Sequence, residues 1–180
     1  FAFCIYDKQT KRWFIARDRM GIKPLYYYIG KNTVAITSDI KAFQKVDFIP
    51  KKIDRQAIWQ YLHYGFVPQP QSIFQDVKKL LPGHFGWITE DFKIKIYRYW
   101  SVDNVAVRDG LSNHIERFDE LFIKSVEKRL ISDVEVGAFS SGGLDSSSII
   151  TTINQKQLKT FTIGFEHQSN KLDLERSAEF

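Results

Sequence analysis

Residues 134–165 constrain the fold of this 180-residue chain more than any other stretch. A β-type run, Val134-Glu135-Val136-Gly137-Ala138-Phe139, leads into Ser140-Ser141-Gly142-Gly143-Leu144-Asp145-Ser146-Ser147-Ser148. The pattern predicts a strand over 134–140, a helix over 146–157 and a second strand over 160–165. Strand, crossover helix and strand imply a parallel sheet. Open parallel sheets take ligands beyond the carboxyl ends of their strands, which is where the 140–148 loop falls.

That loop has the composition of an anion site. Gly142 and Gly143 carry no Cβ, so the chain can turn sharply and approach a phosphate closely. A helix start behind such a turn presents backbone N–H groups. Ser141, Ser146 and Ser147 add hydroxyl donors, and Asp145 can cap the helix or face a metal ion. No Gly-Lys-Ser/Thr follows, which excludes a Walker loop. Gly-x-Ser-x-Gly is absent, which excludes a nucleophile elbow. The segment resembles the PP-loop of the ATP pyrophosphatases, which hold the β,γ-pyrophosphate of ATP and cleave between the α and β phosphates. The bland alternative is a glycine-rich turn with no ligand.

At 43% hydrophobic and 15% aromatic residues, the chain can bury a real core. No stretch approaches the roughly 18 uninterrupted apolar residues of a membrane span, and no signal peptide is visible. Cys4 is the single cysteine, which excludes an internal disulfide and fits a cytoplasmic location. The net charge is +5, but the basic pairs Lys51-Lys52 and Lys78-Lys79 lie beside Asp54 and Asp76. They read as solvated faces, not as a nucleic-acid surface. The chain opens in an apolar strand-like run without an initiator Met and closes in a helix-like run, so a piece of a longer protein is expected.

Residues 1–6 and 12–17 read as a hairpin, as do 25–29 with 33–38 and 85–89 with 93–99. A short helix is expected over 39–43, and a longer one behind an Asp54 N-cap that stops at Gly65. Periodicity fades over 101–111, where a linker is expected. Beyond it, Ile115, Phe118, Phe122, Val126 and Leu130 predict one buried helix face over 113–131, with Asn113 and Glu116 suited to a capping box.

Several separate segments carry a likeness to a family. Phe1-Ala-Phe-Cys-Ile-Tyr-Asp7, Ala16-Arg-Asp-Arg-Met-Gly-Ile-Lys-Pro-Leu-Tyr-Tyr27, Ser38-Asp-Ile-Lys-Ala42, Leu81-Pro-Gly-His84, Tyr99-Trp100 and Ser141–Ser147 are the matching stretches. Together they resemble the glutamine-hydrolysing asparagine synthetases. The resemblance implies an α/β two-domain fragment. Residues 1–100 would be the C-terminal part of a glutaminase domain, an incomplete N-terminal-nucleophile α/β/β/α sandwich. Residues 101–111 would be the linker, and 112–180 the start of a PP-loop synthetase domain with a parallel sheet. It implies a ligase that adenylylates aspartate with ATP and Mg²⁺, then lets ammonia from glutamine displace AMP to give asparagine and pyrophosphate. Glutamine, aspartate and ATP are the implied partners, with no nucleic acid and no membrane; a homodimer stays open.

The resemblance assigns ATP and pyrophosphate to Ser140, Ser141, Gly142, Gly143, Leu144, Asp145, Ser146, Ser147, Ile163 and Gly164, with Asp145 as the Mg²⁺ carboxylate. It places no catalytic residue within the fragment, because the glutaminase nucleophile, a cysteine, lies upstream in the family. Ser140 departs from the family's Leu, and a backbone contact there would survive the change. Leu144 is expected to pack under the loop. Asp173 and Glu175 stand where the family often carries acidic residues. Related acceptors, namely another carboxylate, a sugar, a peptide or a β-lactam precursor, remain alternatives, as does a PP-loop enzyme activating tRNA bases. A catalytically incomplete nucleotide-binding fragment is the alternative of another class.

Among single residues, Cys4 reads as a buried core thiol, since no cation lies beside it in sequence. Arg17, Asp18 and Arg19 read as buried pairing inside the first half. His63, His84, His114 and His167 lack metal-ligand spacing. Tyr26 to Tyr28, Trp13, Trp59, Trp87 and Trp100 read as core.

Overall fold

The structure, a computed structural model, describes residues 1–102, 110–153 and 158–163. The chain divides into two compact units, Phe1–Asn104 and Val105–Phe180. Both mix helices with sheets.

In chain order the first unit holds β1 (Ala2–Asp7), β2 (Arg12–Arg17), β3 (Tyr26–Ile29), β4 (Val34–Thr37), α1 (Lys41–Gln44), α2 (Arg55–Tyr64), β5 (Val77–Lys79), β6 (His84–Ile88) and β7 (Ile94–Arg98). One antiparallel sheet runs β1-β2-β6-β7 and another runs β4-β3-β5. All three expected hairpins form, because alternating apolar residues flank short polar turns.

Period-2 alternation decides how the sheets stack. Tyr27, Ile29, Val34 and Ile36 of the smaller sheet join Ile15, Ile88, Cys4, Trp13 and Ile94 of the larger one around Leu25 and Leu80. The two sheets therefore face each other across one core. The opposite side of the smaller sheet, carrying Tyr26, Tyr28, Ala35 and Val77, packs on Phe43 of α1 and on Ile49 and Phe74. The other side of the larger sheet bears an aromatic row, with Phe14 in ring contact with Phe3, Phe85 and Trp87.

Asp54 caps α2, accepting the amides of Gln56 at 2.9 Å and Ala57 at 3.4 Å. Gly65 ends it with φ of 77° and an amide bond to the Tyr61 carbonyl. Strand β5 carries no local signal: Lys78 and Lys79, which read as a solvated basic pair, instead pair with Tyr27 and Tyr26. Trp59 and Trp87 are not core either, at 61% and 39% exposure. Trp59 stacks on His63 along the outer side of α2.

The second unit holds α3 (Leu111–Glu127), β8 (Gly137–Phe139), α4 (Leu144–Thr152) and β9 (Lys159–Phe161). β8 and β9 are parallel, as the crossover pattern requires. Three expectations need correction. Helix α3 starts at Leu111 behind Gly110, whose extended backbone takes the N-cap, so Asn113 lies inside the first turn and no Asn113–Glu116 capping box forms. Its apolar stripe is not one buried face: Val126 is buried, but Ile115 and Phe118 are 55% and 65% exposed. Helix α4 meets α3, and Phe122 and Val126 of α3 line one groove with Ile149 and Ile153. Strand β8 is three residues long rather than seven, because a strand extends only as far as its partner's ladder.

Candidate functional site

The 140–143 loop joins the carboxyl end of β8 to the start of α4. Gly142 turns the chain with φ of 70°, a left-handed conformation that costs other residues about 1–2 kcal/mol. Gly143 is the N-cap, in extended backbone, and its carbonyl accepts the Ser147 amide at 3.1 Å. Helix α4 thus begins at Leu144, two residues earlier than expected, and Asp145 is its second residue, not its cap. The amides of Leu144, Asp145 and Ser146 open the helix and have no carbonyl one turn back to accept them. They mark the positive end of the α4 dipole.

Within the loop the polar groups satisfy one another. Ser146 Oγ accepts the Ser141 amide at 3.3 Å, donates to the Gly143 carbonyl at 3.1 Å, and lies 3.1 Å from Ser141 Oγ. The Gly143 amide donates to Ser141 Oγ at 3.4 Å. These are long, neutral bonds, weaker than the charge-assisted bonds an anion would offer the same groups.

The neighbouring strand is tied to the loop. The Ser140 amide donates to the Phe161 carbonyl at 2.9 Å, and Thr162 Oγ1 donates to the Ser140 carbonyl at 3.0 Å. The Ser140 amide is therefore occupied, while its carbonyl keeps a second lone pair for a further donor. Gly137 permits this pairing: a Cβ there would stand 2.6 Å from the Phe161 ring. Sequence reasoning missed Thr162, since a threonine in a β-type run signals only strand preference.

Leu144 is 83% exposed, so it does not pack under the loop. With Asp145, Ser148 and Ile149 it lines a groove of about 520 Å³ whose far wall is Phe118, Asp119 and Phe122 of α3. The Asp145 carboxylate is exposed beside the free amides. A hard oxygen donor next to an anion cradle suits Mg²⁺, an ion held by phosphates plus one or two carboxylates. Among the described residues no group of three or more His, Cys, Asp or Glu converges on a metal site. Ile163 follows Thr162 and is 73% exposed, while Gly164, His167, Asp173 and Glu175 lie outside the described residues.

In the first unit, the 17–23 segment is a turn built by side chains. Asp18 accepts the amides of Met20 at 2.9 Å and Ile22 at 3.1 Å, and Gly21 supplies φ of 65°. Arg17 is buried, yet its partners are carbonyls and an amide oxygen instead of the expected ion pair. Arg19 is exposed, with its guanidinium over the Trp100 ring.

Cys4 is half-buried on the core side of edge strand β1, not fully buried. Burial pushes its thiol above the ordinary value. Its alkylation by iodoacetamide at neutral pH is expected to be slower than that of the same thiol in the urea-unfolded chain. Equal rates in the two states would show the thiol is not shielded.

Comparison with known proteins extends the picture to the whole chain. A family model described as a glutamine amidotransferase domain matches residues 1–100, and one described as asparagine synthase matches 117–179. A putative glutamine-hydrolysing asparagine synthetase 2 of Methanocaldococcus jannaschii is 37% identical over 92% of this chain and 34% of its own length.

The chain belongs to the glutamine-hydrolysing asparagine synthetase family.

Another relative in the family, asparagine synthetase 1 of Bacillus subtilis, is 36% identical over 93% of the chain and 27% of its own length. An amidase of Gibberella zeae, chry2, is 26% identical over 94% of the chain and 28% of its own length. The chain thus spans about a third or less of the curated relatives it matches. Among its described residues no helix is long and apolar enough to cross a membrane.

Proposed function

We propose that the chain is the junction of an ATP-dependent, glutamine-hydrolysing amidotransferase that makes asparagine. Residues 1–100 form the C-terminal part of a glutaminase sandwich of the N-terminal-nucleophile type, 101–111 the linker, and 112–180 the start of a PP-loop synthetase domain. The substrates are glutamine, aspartate and ATP, and the compartment is the cytoplasm. The observation that supports this reading most is the left-handed Gly142 turn set between a parallel strand and a helix whose first amides have no intrahelical acceptor.

The proposed chemistry runs in two steps. An aspartate carboxylate oxygen attacks the α-phosphorus of ATP, the bond to the bridging β oxygen breaks, and pyrophosphate leaves with the electron pair. Ammonia then attacks the acyl carbon, loses a proton, and AMP departs. The loop's part is electrostatic: the amides of Gly142 to Ser146, with the Ser141 and Ser146 hydroxyls, hold the charge that gathers on the leaving diphosphate. Asp145 would hold Mg²⁺, which neutralises part of the diphosphate charge when bound.

The test is AMP formation by the intact enzyme with ATP, Mg²⁺ and a panel of carboxylates. AMP made with aspartate alone supports the reading. The amidase of Gibberella zeae favours a second one, the same frame serving a different acceptor. AMP made with another carboxylate and not with aspartate would establish that second reading.

A further inference from the structure

Among the described residues, three buried side-chain polar atoms have no hydrogen-bond partner: Gln60 Oε1, Ser140 Oγ and Ser147 Oγ. Two of the three bracket the phosphate loop, one at each end. Ser140 is 4% and Ser147 8% exposed. A buried hydroxyl without a partner is a standing cost, so native structures rarely keep one without a use.

Side chains alternate along a strand, so Ser140 shares its face of β8 with Ala138. Ala138 lines the groove formed with Ile149 and Ile153 of α4 and Phe122 and Val126 of α3. Ser147 lies in the first turn of α4, buried. Ser140 follows the end of β8 and Ser147 closes the first turn of α4, so the two buried hydroxyls flank the loop on either side. The loop is closed by the long Ser141–Ser146–Gly143 bonds.

We infer that Ser140 is a positioning residue for the diphosphate-loaded loop, acting through its hydroxyl. When a diphosphate takes over the loop amides and the Ser141 and Ser146 hydroxyls, the loop opens. The Ser140 Oγ–H then donates to an acceptor that opening brings within reach, a loop carbonyl or a diphosphate oxygen. Its backbone cannot supply that proton, because the amide is already held by the Phe161 carbonyl and the carbonyl can only accept. The inference rests on the reading of 140–147 as a diphosphate site, and it assigns to this chain's serine a role that the family's leucine side chain could not perform.

Such a role makes stability and binding move in opposite directions, which a merely structural serine would not do. The experiment compares the wild-type chain with Ser140→Ala by thermal unfolding and by amide-resolved titration with magnesium pyrophosphate up to millimolar concentration. The expected result is a melting temperature raised by about 4 °C, from removal of an orphan hydroxyl. Pyrophosphate should at the same time bind at least about fivefold more weakly, the loss of one neutral hydrogen bond. Higher stability with unchanged affinity would overturn the inference, because the hydroxyl is then only a burden. Lower stability would overturn it too, because the hydroxyl then has a partner in the free chain. Wild-type Gly142 and Gly143 amides that do not respond to pyrophosphate would refute the diphosphate site itself, a result distinct from the other two.

Discussion

In the intact enzyme, Gly142→Val lowers the rate of pyrophosphate release by at least about 100-fold, the scale of losing one preorganised donor from a charge-stabilising site. The reason is backbone geometry, not bulk. Gly142 holds φ of 70°, and valine, branched at Cβ, is among the residues least able to adopt it. The chain would relax toward negative φ and carry the amides of Gly142 and Gly143 off their line. Helix α4 itself stays, because its N-cap is Gly143 and its first internal bond runs from Ser147 to Gly143. The variant should therefore unfold with a similar transition while losing turnover. Ser148→Ala is the matched control. Its hydroxyl is engaged with the Leu144 carbonyl of its own helix, so turnover should hold near wild type. A Gly142→Val enzyme releasing pyrophosphate at the wild-type rate would remove the loop from the mechanism.

What could be seen in the residues, and what could not, divides along sequence separation. The hairpins at 7–10, 30–32 and 89–92 were legible because turn chemistry and alternation are local. So was α2, whose cap and stop residues are its own neighbours. Strand β5 was hidden because three residues with two lysines become a strand only when β3, about fifty positions earlier, offers its edge. The buried face expected of α3 failed for a similar reason: periodicity says which face is apolar, not what covers it. The loop's composition pointed to an anion from the residues alone. The tie from Thr162 to Ser140 depends on the register of β8 against β9, which no local pattern encodes.

Arg17→Lys should cost the first unit about 3–5 kcal/mol, the scale of leaving two or three buried acceptors unpaired at about 1–3 kcal/mol each. Arg17 is 5% exposed and spends four N–H groups on four acceptors. Nε reaches the Lys23 carbonyl at 2.8 Å and Nη2 the Gly21 carbonyl at 2.8 Å. Nη1 reaches both Gln69 Oε1 and the Leu80 carbonyl at 2.6 Å. The fork of the guanidinium thereby pins three separate segments: the 18–25 turn, the loop around Gln69 and the entry to the Leu81-Pro82-Gly83 turn. A lysine ammonium is a single point with three donors and cannot span them, so several carbonyls would be left buried and unpaired. Lys79 worsens the exchange. Burial already pushes its ammonium down and the Arg17 charge adds to that, so a compact second ammonium would meet the same repulsion with fewer bonds to offset it. Urea unfolding of the first unit measures the loss. Arg19→Lys, two positions along on an exposed side chain over Trp100, should cost under about 1 kcal/mol and serves as the internal control. Equal small losses for the two variants would mean the carbonyls around Arg17 find other donors, and that the Ala16–Tyr27 segment does not owe its shape to the buried guanidinium.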